Sequence, residues 1–324
     1  MKQGNPKSIL IIASLLLIHS FGFGFSLFQN ENTPVAAASY TDIEPYADGF
    51  IAVTNNGRID WISDKGKVTQ TKKFEGEIFS SLLVNTHQVI VLGLHGQIFF
   101  FENDSSFYKI ESQSNNSIKC LTLFKNKIIA GCENGEIAIG ENPNSFKYLK
   151  LEVKGNIVSL STRTKDCYGV TDQGEIIHTT DGLNWTIFDF NSVYKGFYKA
   201  CNFVKIETSS KQIAVIGINE DNSPQLLFSS KGNVWTERTL NYTDENGAHN
   251  SLSDIPTDIY YDTANDQFIL TLTNGRLMTL PSCSHCQKIY KISNENFIAI
   301  AGNGSMIMIV GTNNYIKIVN ADAL

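Results

Sequence analysis

A turn glycine recurs every 39 residues along most of this chain, and that period decides what the chain can fold into. The segments IAVTNNGRIDWIS from Ile51, VIVLGLHGQIFFF from Val89, IIAGCENGEIAIG from Ile128 and CYGVTDQGEIIHTT from Cys167 place Gly57, Gly96, Gly135 and Gly174 under one another. Each step between them is 39 residues. FILTLTNGRLMTL carries the same residue at Gly275, and MIMIVGTNNYIKIV puts Asn314 there, 39 residues later. Asn is the usual substitute for Gly where φ must be positive, so the exchange supports a tight hairpin in each copy. From Gly174 to Gly275 is 101 residues, two repeats plus 23. IAVIGINEDNSPQLLFSS, from Ile213, supplies the missing copy with an expanded turn, and the copies then number seven.

Each copy reads as four short apolar-alternating strands separated by polar turns. In the second they are roughly 79–84, 88–93, 97–101 and 107–111. Four antiparallel strands per repeat of about 40 residues is the pattern of a propeller blade. A helical solenoid would need 3.6-residue periodicity, and a β-sandwich would lack a fixed period. The expectation is an all-β chain: a seven-bladed β-propeller of four-stranded antiparallel blades, forming one domain over 29–324. The seventh kernel ends near Val319, too close to the C-terminus for a fourth strand. An open edge invites aggregation, so Thr33–Tyr40 is expected to supply the outer strand of the last blade.

Ahead of the repeats, Lys2 and Lys7 precede an uncharged, mostly apolar run from Ser8 to Phe28. That pattern reads as a secretory signal over 1–28, or an anchor if it stays uncleaved. The expected location is therefore exported: periplasmic, cell-surface or secreted, with membrane contact only through that segment. Charge narrows the partners. With 26 Lys+Arg against 32 Asp+Glu, a net charge of −6 and only four arginines, the chain lacks the basic footprint of a nucleic-acid binder.

Two turns carry a recognisable pattern. HTTDGLNWTIF, from His178, holds Thr179, Asp181, Gly182 and Trp185; FSSKGNVWTERTL, from Phe228, holds Ser229, Gly232 and Trp235 but Lys231 in place of the Asp. They resemble the Asp-box repeats of bacterial neuraminidases (BNR repeats), and the whole resembles exported propellers of the sialidase-like and photosystem II assembly-factor type. The resemblance implies a structural turn: Asp bonding turn amides, Gly at positive φ and Trp buried between sheets. It also implies that the box lies on the face opposite the functional site. The sialidase chemistry of that family needs three clamping arginines; of Arg58, Arg163, Arg238 and Arg276 only Arg58 and Arg276 share a repeat position, just after the turn glycine, and no third joins them. The assembly factors depend on a basic patch, which an acidic chain does not suggest.

Cys120 and Cys132 flank a hairpin centred on Asn126, six residues to either side, which suggests a cross-strand disulfide. Cys283 and Cys286 form a CxxC that reads as a local disulfide, a redox pair or half of a zinc site with His285. No second CxxC or paired His completes a metal site, so neither metal nor cofactor is expected. Cys167 and Cys201 have no evident partner. No phosphate-binding loop, dinucleotide fingerprint or nucleophile elbow occurs.

The 23 extra residues fall around the fifth blade, in the turn 219–224 and the connector 241–256, beside the linker 191–200. These loops share one propeller face and offer Tyr194, Lys195, Phe197, Tyr198, Glu220, Asp221, Tyr242, Asp244, Glu245 and His249 as ligand-binding candidates. Rings beside carboxylates suit a glycan or a peptide segment. The leading reading is a non-enzymatic exported propeller that binds a protein or glycan partner there. The alternative is a carbohydrate-active hydrolase using paired carboxylates on the same face.

Overall fold

A computed structural model describes residues 37–324 apart from 86–87, 95, 103–106, 111, 113, 239, 244–248 and 282–286. The apolar segment 1–28, residues 33–36 and the Cys283–Cys286 motif therefore lie outside the described residues. The 39-residue period becomes a ring of seven antiparallel blades, with strands running from the axis outward in sequence order. Blade one is Tyr40–Tyr46, Gly49–Thr54, Arg58–Ile62 and Val68–Lys73. The inner strands of the next six blades are Phe79–Asn85, Ile118–Phe124, Ile157–Thr162, Cys201–Thr208, Pro256–Asp262 and Phe297–Asn303. The seventh packs against the first, which closes the ring. Among the described residues the seventh blade has three strands, ending at Ile316–Asn320. Tyr40 opens the inner strand of blade one instead of completing blade seven. Ala38, just before it, accepts the Asn314 N–H beside the last hairpin (2.7 Å).

The turn residues behave as their spacing requires. Gly57, Gly96, Gly135, Gly174, Gly275 and Asn314 all have φ between 59° and 82°. At Gly57 a Cβ would also lie 2.3 Å from the Phe74 carbonyl, so backbone crowding as well as φ selects glycine.

Alternation along the strands sorts side chains to opposite blade faces. The core is accordingly layered, with an apolar cluster at each junction. Ile51 and Val53 pack with Phe79 and Val91 of blade two, whereas Phe50 and Ala52 pack with Ala299 and Val310 of blade seven. The same alternation removes the expected Cys120–Cys132 disulfide. The hairpin turns on two residues, Lys125 and Asn126, both at positive φ, so Lys127 pairs with Phe124 and Cys120 falls opposite Gly131; a bulge beyond it sets Cys132 opposite Ile118. Cys120 then faces blade four and Cys132 faces blade two, and both are free thiols. Centring the hairpin on Asn126 alone puts the register out by one residue.

Similar register shifts recur on the inner strands of the other blades, between Tyr40 and Asp42, Phe79 and Ser81, Ile157 and Ser159, Phe203 and Lys205, Pro256 and Asp258, and Phe297 and Ala299. The residue after each bulge belongs to a ring around the axis: Asp42, Ser81, Cys120, Ser159, Lys205, Asp258 and Ala299. Several of these side chains hold the next blade by its backbone. Asp42 accepts the Leu82 N–H (2.9 Å), Ser159 the Ile206 N–H (3.2 Å) and Asp258 the Ile300 N–H (3.1 Å). Lys205 reaches across to Asp258 at 3.1 Å. Replacing Asp258 with Ala leaves Lys205 without that carboxylate and Ile300 without its acceptor. The expected loss is about 3 kcal/mol in urea unfolding, against under about 1 kcal/mol for an exposed carboxylate such as Glu141.

Candidate functional site

The linker between blades four and five departs from the repeat by a helical turn and a cluster of rings. Asp189 caps a single helical turn, Phe190–Val193, by accepting the Ser192 N–H (3.0 Å). Asn191 then pins both ends of the linker. Its Nδ2 donates to the carbonyls of Gln173 and Cys201, and its Oδ1 accepts the Cys201 N–H (2.8 Å). Phe190 is buried, with Tyr198 stacked on it (centroids 5.8 Å, 5° between planes) and Tyr194 tilted against both rings. The Tyr194 hydroxyl accepts the Trp235 N–H at 2.9 Å. The linker thus begins where the inner strand of blade five begins and runs down the rim to the Trp-bearing turn at the other end.

This anchoring leaves Phe197 84% and Val193 57% exposed. With Tyr194 and Tyr198 they line an apolar concavity of about 260 Å³. The expanded turn closes on one side: the Glu220 N–H bonds the Ala200 carbonyl (3.0 Å), and Lys199 pairs with Asp221. The structure therefore brings together Tyr194, Lys195, Phe197, Tyr198, Glu220 and Asp221. Tyr242 packs instead on the apolar layer between blades five and six. His249 opens a short strand, His249–Ser251, paired with Asn241–Thr243, and Asp244 and Glu245 lie outside the described residues. Tyr194, Trp235 and Phe190 serve as support; Phe197 and Val193 are the free apolar surface.

The Trp-bearing turns share a set of internal bonds. Asp181 accepts the amides of Leu183 and Asn184 (2.8 Å each), and these bonds hold its carboxyl below the ordinary range. Thr179 Oγ1 accepts the Gly182 N–H, and Trp185 and Trp235 each donate Nε1–H to the glycine carbonyl of their own turn. Arg58 pairs with Asp60 and Arg276 with Asp254, so both are taken up within the fold and do not converge on a ligand.

A second polar feature gave no motif in the sequence. On the axis, Glu44 and Glu207 stand one inward-facing position beyond Asp42 and Lys205 on the inner strands of blades one and five. Burial, then the neighbouring carboxylate of Asp42, pushes Glu44 up to about 8. Burial, then Asp258, does the same to Glu207, partly offset by Lys205. Burial works to lower Lys205, but Asp258 and Asp42 outweigh it and hold the ammonium charged. Among the described residues no three His, Cys, Asp or Glu converge so as to hold a metal ion.

No protein-family model matches the sequence, and no curated protein does. Among solved structures the chain is similar to YCF48 from Cyanidioschyzon merolae, with 12% identity over 90% of this chain and 98% of that one (TM-score 0.66). It is also similar to a YCF48 bound to D1 peptide, with 14% identity over 88% of this chain and 92% of that one (TM-score 0.67). A computationally designed protein, Ika8, matches with 10% identity over 88% and 96% (TM-score 0.57). At these identities the likeness is one of fold.

The axial carboxyls give stability a pH dependence. Between about pH 4.5 and about 8, folded Glu44 and Glu207 hold protons that the unfolded chain has released. Raising the pH through that window therefore lowers stability, and above it their contribution levels off. Urea midpoints should fall across the window in the native protein. They should fall less steeply in Glu44→Gln and in Glu207→Gln, and an unchanged slope in both would refute the assignment.

Proposed function

We propose that this propeller is a non-enzymatic binding module that holds a segment of a protein partner against the linker between blades four and five. One observation carries the reading: Phe197 and Val193 stand exposed over a concavity whose walls, Tyr194 and Tyr198, are locked from beneath. Exposed aromatic and aliphatic side chains over a preformed apolar recess are the usual anchors of an interface. A rigid wall also spares a partner the cost of ordering it. That a propeller of similar fold has been seen with a bound peptide supports a peptide segment as the ligand class.

The exposed rings also suit sugar stacking, so a glycan partner is the second reading. Of the carboxylates that a hydrolase reading would use, Asp221 pairs with Lys199, and Asp244 and Glu245 lie outside the described residues. The Asp-box likeness of the Trp-bearing turns belongs, on this reading, to the scaffold. On this reading the module is exported, and the basic start and apolar run before residue 29 support that.

Peptide display against the native protein, followed by fluorescence polarisation, tests the site. The double variant Val193→Ser/Phe197→Ser should weaken binding of the selected peptides by about ten-fold or more. Its melting temperature should move by no more than about 1 °C, because both side chains are already in water. Undiminished affinity would remove the linker as the site, and binding confined to a glycan array would favour the second reading. Tyr194→Ala is the wrong probe, since it strips the Trp235 N–H of its acceptor.

A further inference from the structure

The two Trp-bearing turns share one scheme of bonds but carry opposite charge. In blade four, Thr179 Oγ1 accepts the Gly182 N–H, and Lys125 of the preceding blade donates to the Thr180 carbonyl. In blade five, Ser229 Oγ accepts the Gly232 N–H (2.8 Å), and Arg163 of the preceding blade donates to the Ser230 carbonyl (3.4 Å). Residues 179–185 thus correspond one for one to residues 229–235. In blade four the third position is Asp181, whose carboxylate takes the amides of Leu183 and Asn184 and offsets Lys125. In blade five that position is Lys231, so Arg163 and Lys231 add where Lys125 and Asp181 cancel.

Three consequences follow in the same small volume. The amides of Asn233 and Val234, which correspond to those held by Asp181, have no acceptor among the described residues. Lys231 is exposed and makes no ion pair among the described residues. The Nε and Nη2 atoms of Arg163 are buried with no hydrogen-bond partner, and its guanidinium lies 5.6 Å from the centre of the Tyr168 ring. Tyr168 in turn lies under Gly232, where an added Cβ would meet its ring at 2.8 Å. Asp166, on the same turn as Arg163, bonds His178 Nε2 at 3.1 Å and makes no ion pair with the arginine. A buried guanidinium without a carboxylate is a group that protein interiors normally satisfy, and the two amides, on exposed residues, are open to a ligand from solvent.

We infer that the Trp-bearing turn of blade five is an oxyanion site, taking a carboxylate or phosphate group on the Asn233 and Val234 amides beside Lys231 and over Arg163. It does not depend on the linker concavity. Backbone amides together with fixed positive charge are a general means of anion recognition. The ligand is a free phosphate-like anion or the carboxylate of a partner's acidic side chain.

Melting temperatures in sodium phosphate, sodium acetate and sodium chloride at matched ionic strength test this. At an anion concentration about ten times its dissociation constant, the native protein should melt about 2 °C higher than in chloride. A rise in phosphate alone points to a phosphate-like ligand, and a rise in acetate as well points to a carboxylate. Lys231→Asp builds the carboxylate into the turn, so it should melt no lower than the native protein in chloride and show no anion-dependent rise. Arg163→Gln should lose most of the rise even if it is less stable. Equal melting of the native protein in all three salts would overturn the site, as would a rise in Lys231→Asp equal to the native one.

Discussion

Seven inner strands face one axis, and each is the edge of its sheet. Their inward N–H groups must find acceptors where little water reaches. The rest of the structure depends on how that demand is met. A bulge at the same place in the repeat turns one side chain toward the next blade, and that side chain becomes the acceptor. Asp42, Ser159 and Asp258 hold their neighbours in this way, while Lys205 ties blades five and six through Asp258. Blade seven has Ala299 at this position. Its junction with blade one relies instead on Asn303, which donates to the carbonyls of Ala47 and Gly49, and on the Asn314–Ala38 bond. Using carboxylates as staples concentrates negative charge on the axis, and Glu44 and Glu207 answer by keeping their protons.

The fold was legible because a period is a physical statement about turns. Positive φ at Gly57 through Asn314 follows from the 39-residue spacing alone. The axial ring has the same spacing from Asp42 through Ser81 and Cys120 to Ser159, but no chemical motif draws attention to it. Register explains the missed disulfide: the turn holds Lys125 as well as Asn126. One residue of slip reverses every side chain on a strand, which sends Cys120 and Cys132 to opposite faces. At the loop site, the enrichment of rings in 191–200 was visible in the sequence. The division of labour among them was not, because it rests on a tertiary bond between Tyr194 and Trp235. Tyr242 left the group because its ring found the apolar layer between blades five and six.

Two of the departures from regularity meet at one junction. The linker between blades four and five carries the exposed apolar side chains, and the turn below it exchanges an acid for Lys231. That junction keeps its apolar layer and the Ser159–Ile206 staple, so changes made at its surface leave the ring intact. A scaffold whose blades contact only their neighbours tolerates such local variation, since each interface contributes separately to stability.

Site-specific photo-crosslinking tests the central claim that this junction is where a partner is held. A benzophenone side chain placed at Phe197 should, on irradiation in the native cellular setting, give a discrete covalent adduct with another protein. The same group at Leu149, a half-exposed position on the outer strand of blade three, should give none. Adducts at Leu149 but not at Phe197, or at neither position while the protein is still captured by a partner, would contradict the account.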